Sequence, residues 1–253
     1  MAIKIIASIQ ARMGSSRLPG KVLMPLGGMA LLDLMIARLS CLTEIDQLVV
    51  ATSLSDADDK IAALFENDEK VEVFRGSEND VLNRLATLGS SYPDHHHLEL
   101  FGDSPFICTE LLARGVSSAK LDPSAIVTNA RENLFPHGME FYLYPFSLLL
   151  QHEAELAAND PLREHGGSNL LIGNLNRVID LQPMAHERFA EVYLEIDELA
   201  DYKSMAAIAE VLKARQVFPH FTLNDILDVI RDSPGILENG QVERRWRDIQ
   251  NQF

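Results

Sequence analysis

Ile5-Ile6-Ala7-Ser8-Ile9-Gln10-Ala11-Arg12-Met13-Gly14-Ser15-Ser16-Arg17-Leu18-Pro19-Gly20-Lys21 is the stretch whose reading decides the fold. The apolar run from Ile3 to Ile9 is short, β-branched and bounded by turn residues, which predicts a buried strand. It empties into a polar loop that carries Arg12, Gly14, Ser15, Ser16, Arg17, Gly20 and Lys21. A buried parallel strand ending this way puts cations and free backbone N–H groups at the carboxyl edge of a sheet, where open α/β sheets bind ligands. Glycine lets the backbone approach a phosphate closely, and Arg and Lys neutralise its charge. The spacing is neither G-x-x-x-x-G-K-[ST] nor G-x-G-x-x-G, so a P-loop and a dinucleotide fingerprint are both excluded. The loop reads as a polyphosphate cradle, with a basic surface loop as the plainer alternative.

Downstream, strands and helices alternate. Leu31 to Leu42 has helical apolar spacing, Gln47 to Thr52 reads as a second buried strand, and Asp56 to Phe65 as a helix. Lys70 to Phe74 is a third strand, Asp80 to Leu88 a helix, and His97 to Phe101 a fourth strand that stops at Gly102-Asp103-Ser104-Pro105. This alternation predicts a doubly wound α/β fold with a mostly parallel central sheet. The second half is less regular. Ala125 to Asn129, Met139 to Tyr144 and Val192 to Ile196 read as strands; Phe146 to Ala157, Pro161 to Ile172 and Tyr202 to Arg215 read as helices. Thr222 to Phe253 reads as one or two helices punctuated by Ser233-Pro234-Gly235, with Trp246 among Arg244, Arg245 and Arg247 either covering a subunit contact or ending a solvated helix.

With 253 residues and 47% apolar content the chain has ample core for one large α/β domain. A net charge of −15 and a pI near 4.9 argue against a nucleic-acid partner, and set Arg12, Arg17 and Lys21 apart as a local positive site. Cys41 and Cys108 form no C-x-x-C, so the expectation is a reduced, cytoplasmic chain without a disulfide framework or zinc site. No apolar run approaches a membrane span, and Met1-Ala2-Ile3-Lys4 enters a strand directly rather than a signal peptide, so no membrane partner is expected. His95-His96-His97 has metal-like composition, but neighbours on a strand face opposite ways; it reads as a polar strand entry.

The opening motif Q-A-R-M-G-S-S-R-L-P-G-K-V-L-x-P-L-G-G resembles that of the cytidylyltransferases that make CMP-activated acidic sugars, in particular the spore-coat polysaccharide branch. The resemblance covers about residues 3–215 and, loosely, the tail. It implies a Rossmann-like nucleotidyltransferase domain over 1–215, with a small β-rich insertion at about 130–190 and a helical C-terminal extension over 216–253. The implied partners are CTP and an acidic sugar, the implied cofactor is Mg²⁺, and a homodimer is the default assembly. Asp103 follows a strand, and a carboxylate there faces the cradle and suits Mg²⁺, although alone it is more often a turn or N-cap residue. Its segment resembles the family's T-G-D-C-P, which implies a metal ligand at Asp103; Asp197 is implied as the second. Arg12, Lys21 and Asp103 are the implied catalytic groups. Ala11, Arg12, Gly14, Ser15, Arg17 and Lys21 are the implied nucleotide cradle, with Ala51 and Thr52 beside the cytosine.

Arg75-Gly76-Ser77-Glu78-Asn79-Asp80-Val81-Leu82-Asn83-Arg84 resembles the family's R-G-S-E-x-D-V-L-x-R, implying nucleotide contacts from Arg75, Ser77, Asp80 and Arg84. The same stretch also reads as a capped helix start, with Ser77 as N-cap and Asp80 at N3. On the acceptor side, Thr128-Asn129, Phe135-Pro136-His137-Gly138-Met139-Glu140 and Arg163-Glu164-His165 match the family's segments, implying substrate contacts from Asn129, Glu140, Arg163 and His165. His165 is otherwise a structural histidine.

The pattern departs from the family at specific places. Glu99 and Phe101 stand where a basic residue and Thr are usual, Glu195 where Thr is usual, Tyr142 where an acid is usual, and Gly166-Gly167-Ser168 where V-T-P follows the R-E-H. By the strand period, Glu99 and Phe101 share the face of Asp103, and Glu195 that of Asp197. Extra carboxylates there oppose a triphosphate unless a cation intervenes. The reaction implied is CTP plus a sugar acid giving a CMP-sugar and pyrophosphate. A nucleotide-binding paralogue without turnover, and the same reaction with another nucleotide, stand as alternatives.

Overall fold

The computed structural model describes residues 3–237, except positions 133, 173, 188 and 190. The opening apolar run forms β1 (Ile5–Gln10), and its loop leads to a two-strand hairpin, β2 (Pro25–Leu26) and β3 (Met29–Ala30). The hairpin turns through Gly27 and Gly28 at φ 58° and 93°, a left-handed conformation that glycine adopts without Cβ strain. Then come α1 (Leu31–Leu39), β4 (Gln47–Ser53), α2 (Asp59–Leu64), β5 (Val71–Gly76), α3 (Val81–Ser90) and β6 (His96–Phe101). Each lies within a few residues of its expected span.

α4 (Thr109–Leu121) is a helix that the sequence reading leaves unassigned. Gly115, Ser117 and Ser118 weaken its local signal. Gly115 has a packing reason: a Cβ there would meet the Phe141 ring at 2.5 Å. β7 (Ile126–Thr128), β8 (Tyr142–Pro145), α5 (Phe146–Glu155), β9 (Val178–Asp180), α6 (Leu199–Ala214) and α7 (Leu223–Asp232) complete the order.

The main sheet has seven strands in the order β5-β4-β1-β6-β8-β7-β9. β1 pairs in parallel with both β4 and β6, β4 with β5, and β7 with β9; β8 runs antiparallel to β6 and β7. The chain leaves β1 toward β4 and β5, then returns to place β6 on the other side. The carboxyl ends of β1 and β6 therefore flank the switch point.

Strand alternation sends Ile5, Ala7, Ile9, Leu98 and Leu100 into a core shared with α1, α4, α6 and α7. Ile6, Val49 and Ala51 face a second layer with Leu82 and Leu85 of α3 and Phe146 and Leu149 of α5. His96 and His97 do face opposite ways. Both are buried, His96 Nε2 sharing a hydrogen bond with the Pro123 carbonyl at 2.8 Å and His97 Nε2 with Ser8 Oγ at 2.6 Å.

Three expectations change. Val192 to Ile196 is not a strand: its backbone bonds alternately to two segments, Leu194 N to the His137 carbonyl and Ile196 N to the Asp103 carbonyl, so no ladder propagates. Pro161 to Ile172 is two short 3₁₀ turns, Pro161–Glu164 and Gly167–Leu171, separated at His165-Gly166. The segment 130–190, expected as a β-rich insertion, contributes β8 and β9 to the main sheet; its other described residues are α5, 3₁₀ turns and irregular backbone.

Residues 216–237 of the expected C-terminal extension pack into the main core. Phe221, Leu223, Ile226 and Val229 are buried in it. The buried Arg38 of α1 donates to the carbonyls of Ile107, Pro219 and Phe221, and its guanidinium lies 3.8 Å from the Phe221 ring centroid. The expected helix after Ser233-Pro234-Gly235 and the reading of Trp246 lie outside the described residues.

Candidate active site

At the carboxyl ends of β1 and β6 lies a cleft of about 240 Å³, lined by Gln10, Arg12, Ser15, Ser16, Arg17, Lys21, Val22, Phe101, Gly102, Asp103 and Asp197. A larger hollow of about 520 Å³, lined by Leu64 and Asn67 to Lys70, precedes β5 at the amino edge of the sheet and gathers no comparable chemistry.

The floor of the cleft is Lys21, 8% exposed. Its Nζ donates to Asp103 Oδ2 at 3.0 Å, to the Ile196 carbonyl at 2.6 Å and to Asp197 Oδ1 at 3.4 Å. Arg17 reaches Asp197 Oδ1 at 2.6 Å, and Tyr193 OH donates to Asp197 Oδ2 at 2.8 Å. Gly20, at φ 74°, turns the loop so that Lys21 starts a 3₁₀ turn and points inward. Asp58, which sequence reading passes over, anchors the loop: its carboxylate accepts Met13 N at 2.7 Å and Ser53 N at 3.1 Å, as well as the Ser53 hydroxyl. Burial works to raise that carboxyl, but these hydrogen bonds prevail and hold it below the usual carboxylate range.

Asp103 and Asp197 come from two separate chain segments and aim at one cationic point, now held by the Lys21 ammonium. Hard carboxylate oxygens converging on a single positive centre fit Mg²⁺. No set of three or more His, Cys, Asp or Glu able to hold a metal occurs among the described residues, so an ion bound by these two carboxylates would need further oxygens from water or substrate. Glu195 lies beside them, and burial followed by the charges of Glu140, Asp103 and Asp197 pushes its carboxyl well above the usual range. Glu140 accepts Gly138 N at 2.7 Å and faces His137 Nδ1 at 3.2 Å.

The other expected residues stand further out. Ala11 N donates to the Ala51 carbonyl at 3.1 Å, which brings the two strand ends together; Thr52 is fully buried, and Gly14 is exposed, a Cβ there lying within 3.7 Å of Glu78. Arg75 is taken up by the carbonyls of Ser53 and Ser55 and by Asp59. Ser77 is not the N-cap of α3; Asp80 is, accepting Asn83 N at 2.8 Å, while Ser77 Oγ accepts Asp80 N. Arg163 donates at 2.6 Å to both Asp80 and Glu153, clamping α3 to α5, and His165 is exposed. Asn129 bonds the Met139 carbonyl and Phe141 N, tying the end of β7 to the start of β8. None of Arg75, Ser77, Asp80, Asn129, Arg163 or His165 lines the cleft.

Glu99 is buried rather than free in the site. It accepts hydrogen bonds from Gln10 Nε2, from Tyr144 OH at 2.7 Å and from Gly167 N at 2.6 Å. Burial raises its carboxyl, opposed by these bonds and by the Arg84 charge. Arg84 donates to the Ser77 carbonyl at 2.6 Å and to Gln10 Oε1 at 3.3 Å. A cation therefore does stand beside the extra carboxylate, with the Gln10 amide between them. Two of the sequence departures explain each other: a Cβ at Gly166 or Gly167 would strike the Glu99 carboxylate. Phe101 and Tyr142 likewise meet, edge to face at 6.2 Å between centroids.

The family model for cytidylyltransferases matches residues 6–137 of the chain. The spore coat polysaccharide biosynthesis protein SpsF of Bacillus subtilis is 32% identical over 237 residues, 91% of this chain and 95% of that protein. An uncharacterized protein of Methanocaldococcus jannaschii is 28% identical over 251 residues, covering 98% of this chain and all of its own. Among solved structures, a cytidylyltransferase from Leptospira borgpetersenii superposes with a TM-score of 0.83 at 25% identity, over 96% of this chain and 100% of that one. A CMP:2-keto-3-deoxy-manno-octonic acid synthetase complexed with CTP shares the fold at a TM-score of 0.60 and 19% identity, over 84% and 99% of the two chains.

Proposed function

The chain belongs to the cytidylyltransferase family and is a nucleotidyltransferase, and from that premise we propose that it joins CTP to an acidic sugar, releasing pyrophosphate and a CMP-sugar for surface polysaccharide or glycan synthesis. The observation that carries this reading is the convergence of Arg12, Arg17 and Lys21 with Asp103 and Asp197 in one cleft at the switch point of the sheet. Arg12 and Arg17, on the exposed side, hold the β- and γ-phosphates, and Lys21 spans from them to the two aspartates. A sugar hydroxyl attacks the α-phosphorus and pyrophosphate leaves in line, so the protein contributes position and charge neutralisation and forms no covalent intermediate. Asp103 and Asp197 would hold Mg²⁺, whose charge would offset that building on the α-phosphate. The Ala51 and Thr52 strand end flanks the base. The enzyme works as a homodimer in the cytoplasm.

The test is pyrophosphate release from CTP with Mg²⁺ against a panel of nonulosonic, octulosonic and neutral sugars. Release with CTP and one acidic sugar is expected. Binding of CTP without release across the panel would sink the acidic-sugar assignment, and an absence of CTP binding would sink the nucleotide assignment itself.

A further inference from the structure

Gln10 is the cleft-lining residue whose side chain is held from both ends. Its Oε1 accepts from Arg84 and its Nε2 donates to Glu99, so neither half of the amide can exchange places without setting donor against donor. Both partners are buried. Glu99 Oε1 receives Gln10, while Glu99 Oε2 receives both Tyr144 OH and Gly167 N. The carboxylate thus serves the cleft through one oxygen and the 165–168 turn through the other. An amide nitrogen carries two protons, and Glu99 engages one of them.

The geometry points to Glu99 as a positioning residue that fixes the Gln10 amide as a neutral hydrogen-bond donor for an oxygen of the nucleotide in the cleft, and latches the Gly166-Gly167 turn in the same act. This rests on the CTP cleft proposed above. It accounts for a carboxylate that sits beneath a polyanion site. Its charge is turned inward against Arg84 and the Gly167 N–H, and an uncharged amide is what the cleft receives. An Arg at position 99 would instead face the Arg84 guanidinium across the Gln10 amide. A bulkier residue at 167 would meet Tyr144 at 2.5 Å and Glu99 at 2.7 Å.

The pairing allows an exchange experiment. Glu99→Gln keeps Oε2 for Tyr144 and Gly167 but turns an NH₂ group toward Gln10, whose amide must flip and present its own NH₂ to Arg84. Gln10→Glu combined with Glu99→Gln restores every hydrogen bond of the chain, because Glu at 10 accepts from both Gln at 99 and Arg84. That double variant, however, moves the negative charge from the buried position to the cleft wall. Melting temperature and calorimetric affinity for CTP with Mg²⁺ are measured on wild type, single and double variants. Expected are a lowered melting temperature for Glu99→Gln that the double variant recovers, and a CTP affinity weakened about tenfold in both, consistent with one misplaced hydrogen bond or one added like charge. Wild-type-like CTP affinity in Glu99→Gln overturns the inference. So does recovery of CTP affinity together with melting temperature in the double variant, which would make the role purely structural. If Glu99→Gln does not fold, the double variant alone decides by whether its affinity stays low. If the wild type itself fails to bind CTP, it is the nucleotide reading that falls, which the variants do not mimic.

Discussion

At the scale of the residue, Lys21 illustrates what a sequence conveys and what it withholds. Its type and its place after a Gly-rich loop mark it as a cation for phosphates. Nothing local indicates that it is buried and bound to Asp103, to Asp197 and to the Ile196 carbonyl, because those partners lie 82, 176 and 175 positions away. Lys21→Met keeps the length of the stem and removes the charge. Pyrophosphate release is expected to fall by about a hundredfold or more, since a preorganised charge at the reacting centre is lost. The urea midpoint is expected to fall only slightly, by the equivalent of about 1 kcal/mol, because the two carboxylates are partly exposed and Arg17 still reaches Asp197. Turnover within twofold of wild type would remove Lys21 from the phosphate site. Glu99 shows the converse. The strand period puts it on the side of the sheet away from Leu98 and Leu100, but period gives side, not depth. The repulsion it suggests is absent from the cleft because the carboxyl is sealed beneath Gln10 and beside Arg84.

Among the elements, legibility follows the density of local signal. β1, β4, β5 and β6 are continuous apolar runs between turn residues, and they lie close to where periodicity puts them. α4 is hidden by a glycine kept for the Phe141 ring, and the Val192 to Ile196 segment looks like a strand because its apolar residues alternate although its hydrogen bonds are split between two partners. The start of α3 is a further case. Its capping residue is Asp80 rather than Ser77, since Asp80 also meets Arg163, a side chain 83 positions distant. That clamp predicts strong coupling. Arg163→Ala leaves Asp80 and Glu153 without their shared partner, and Asp80→Ala removes both the cap and the pair. The two substitutions together are expected to cost about 1 kcal/mol less than the sum of their separate effects. Strict additivity of the urea midpoints would mean that the clamp carries no energy, and would return Arg163 to the role of a substrate-binding group that the sequence implies.

For the whole molecule, the sheet's buried polar seam sets a response to acid that no single segment displays. Ser8, His97, Tyr144 and Glu99 form one hydrogen-bonded line through the interior, with His97 also stacked on Phe146 at 4.5 Å between ring centroids. Tyr144 donates to Glu99, so it accepts from His97 Nδ1–H, and His97 Nε2 accepts from Ser8. With Nδ1 donating and Nε2 accepting, the line fits the neutral imidazole in one tautomer, and among the described residues no carboxylate contacts the ring to favour a second proton. Burial pushes its pKa down to about 3. In the unfolded chain the same imidazole titrates near the ordinary histidine value, about 6.5. Between these values the unfolded state binds the extra proton, so stability from this group is complete above about pH 6.5 and is lost as pH falls toward 3, at about 1.4 kcal/mol per pH unit well inside the window. His96 and His152, whose pKa values are also lowered by burial, act in the same sense. Glu99, raised by burial, acts oppositely: the folded state takes up its proton first, so stability is gained on acidification. The test isolates one proton by difference. His97→Gln lowers stability at neutral pH because it breaks the line, but between pH 6 and 4.5 its stability is expected to fall less steeply than that of the wild type, by close to one proton's slope. Parallel curves of urea-derived stability against pH would show that His97 takes up its proton in the folded protein, and that the seam is open to water rather than sealed.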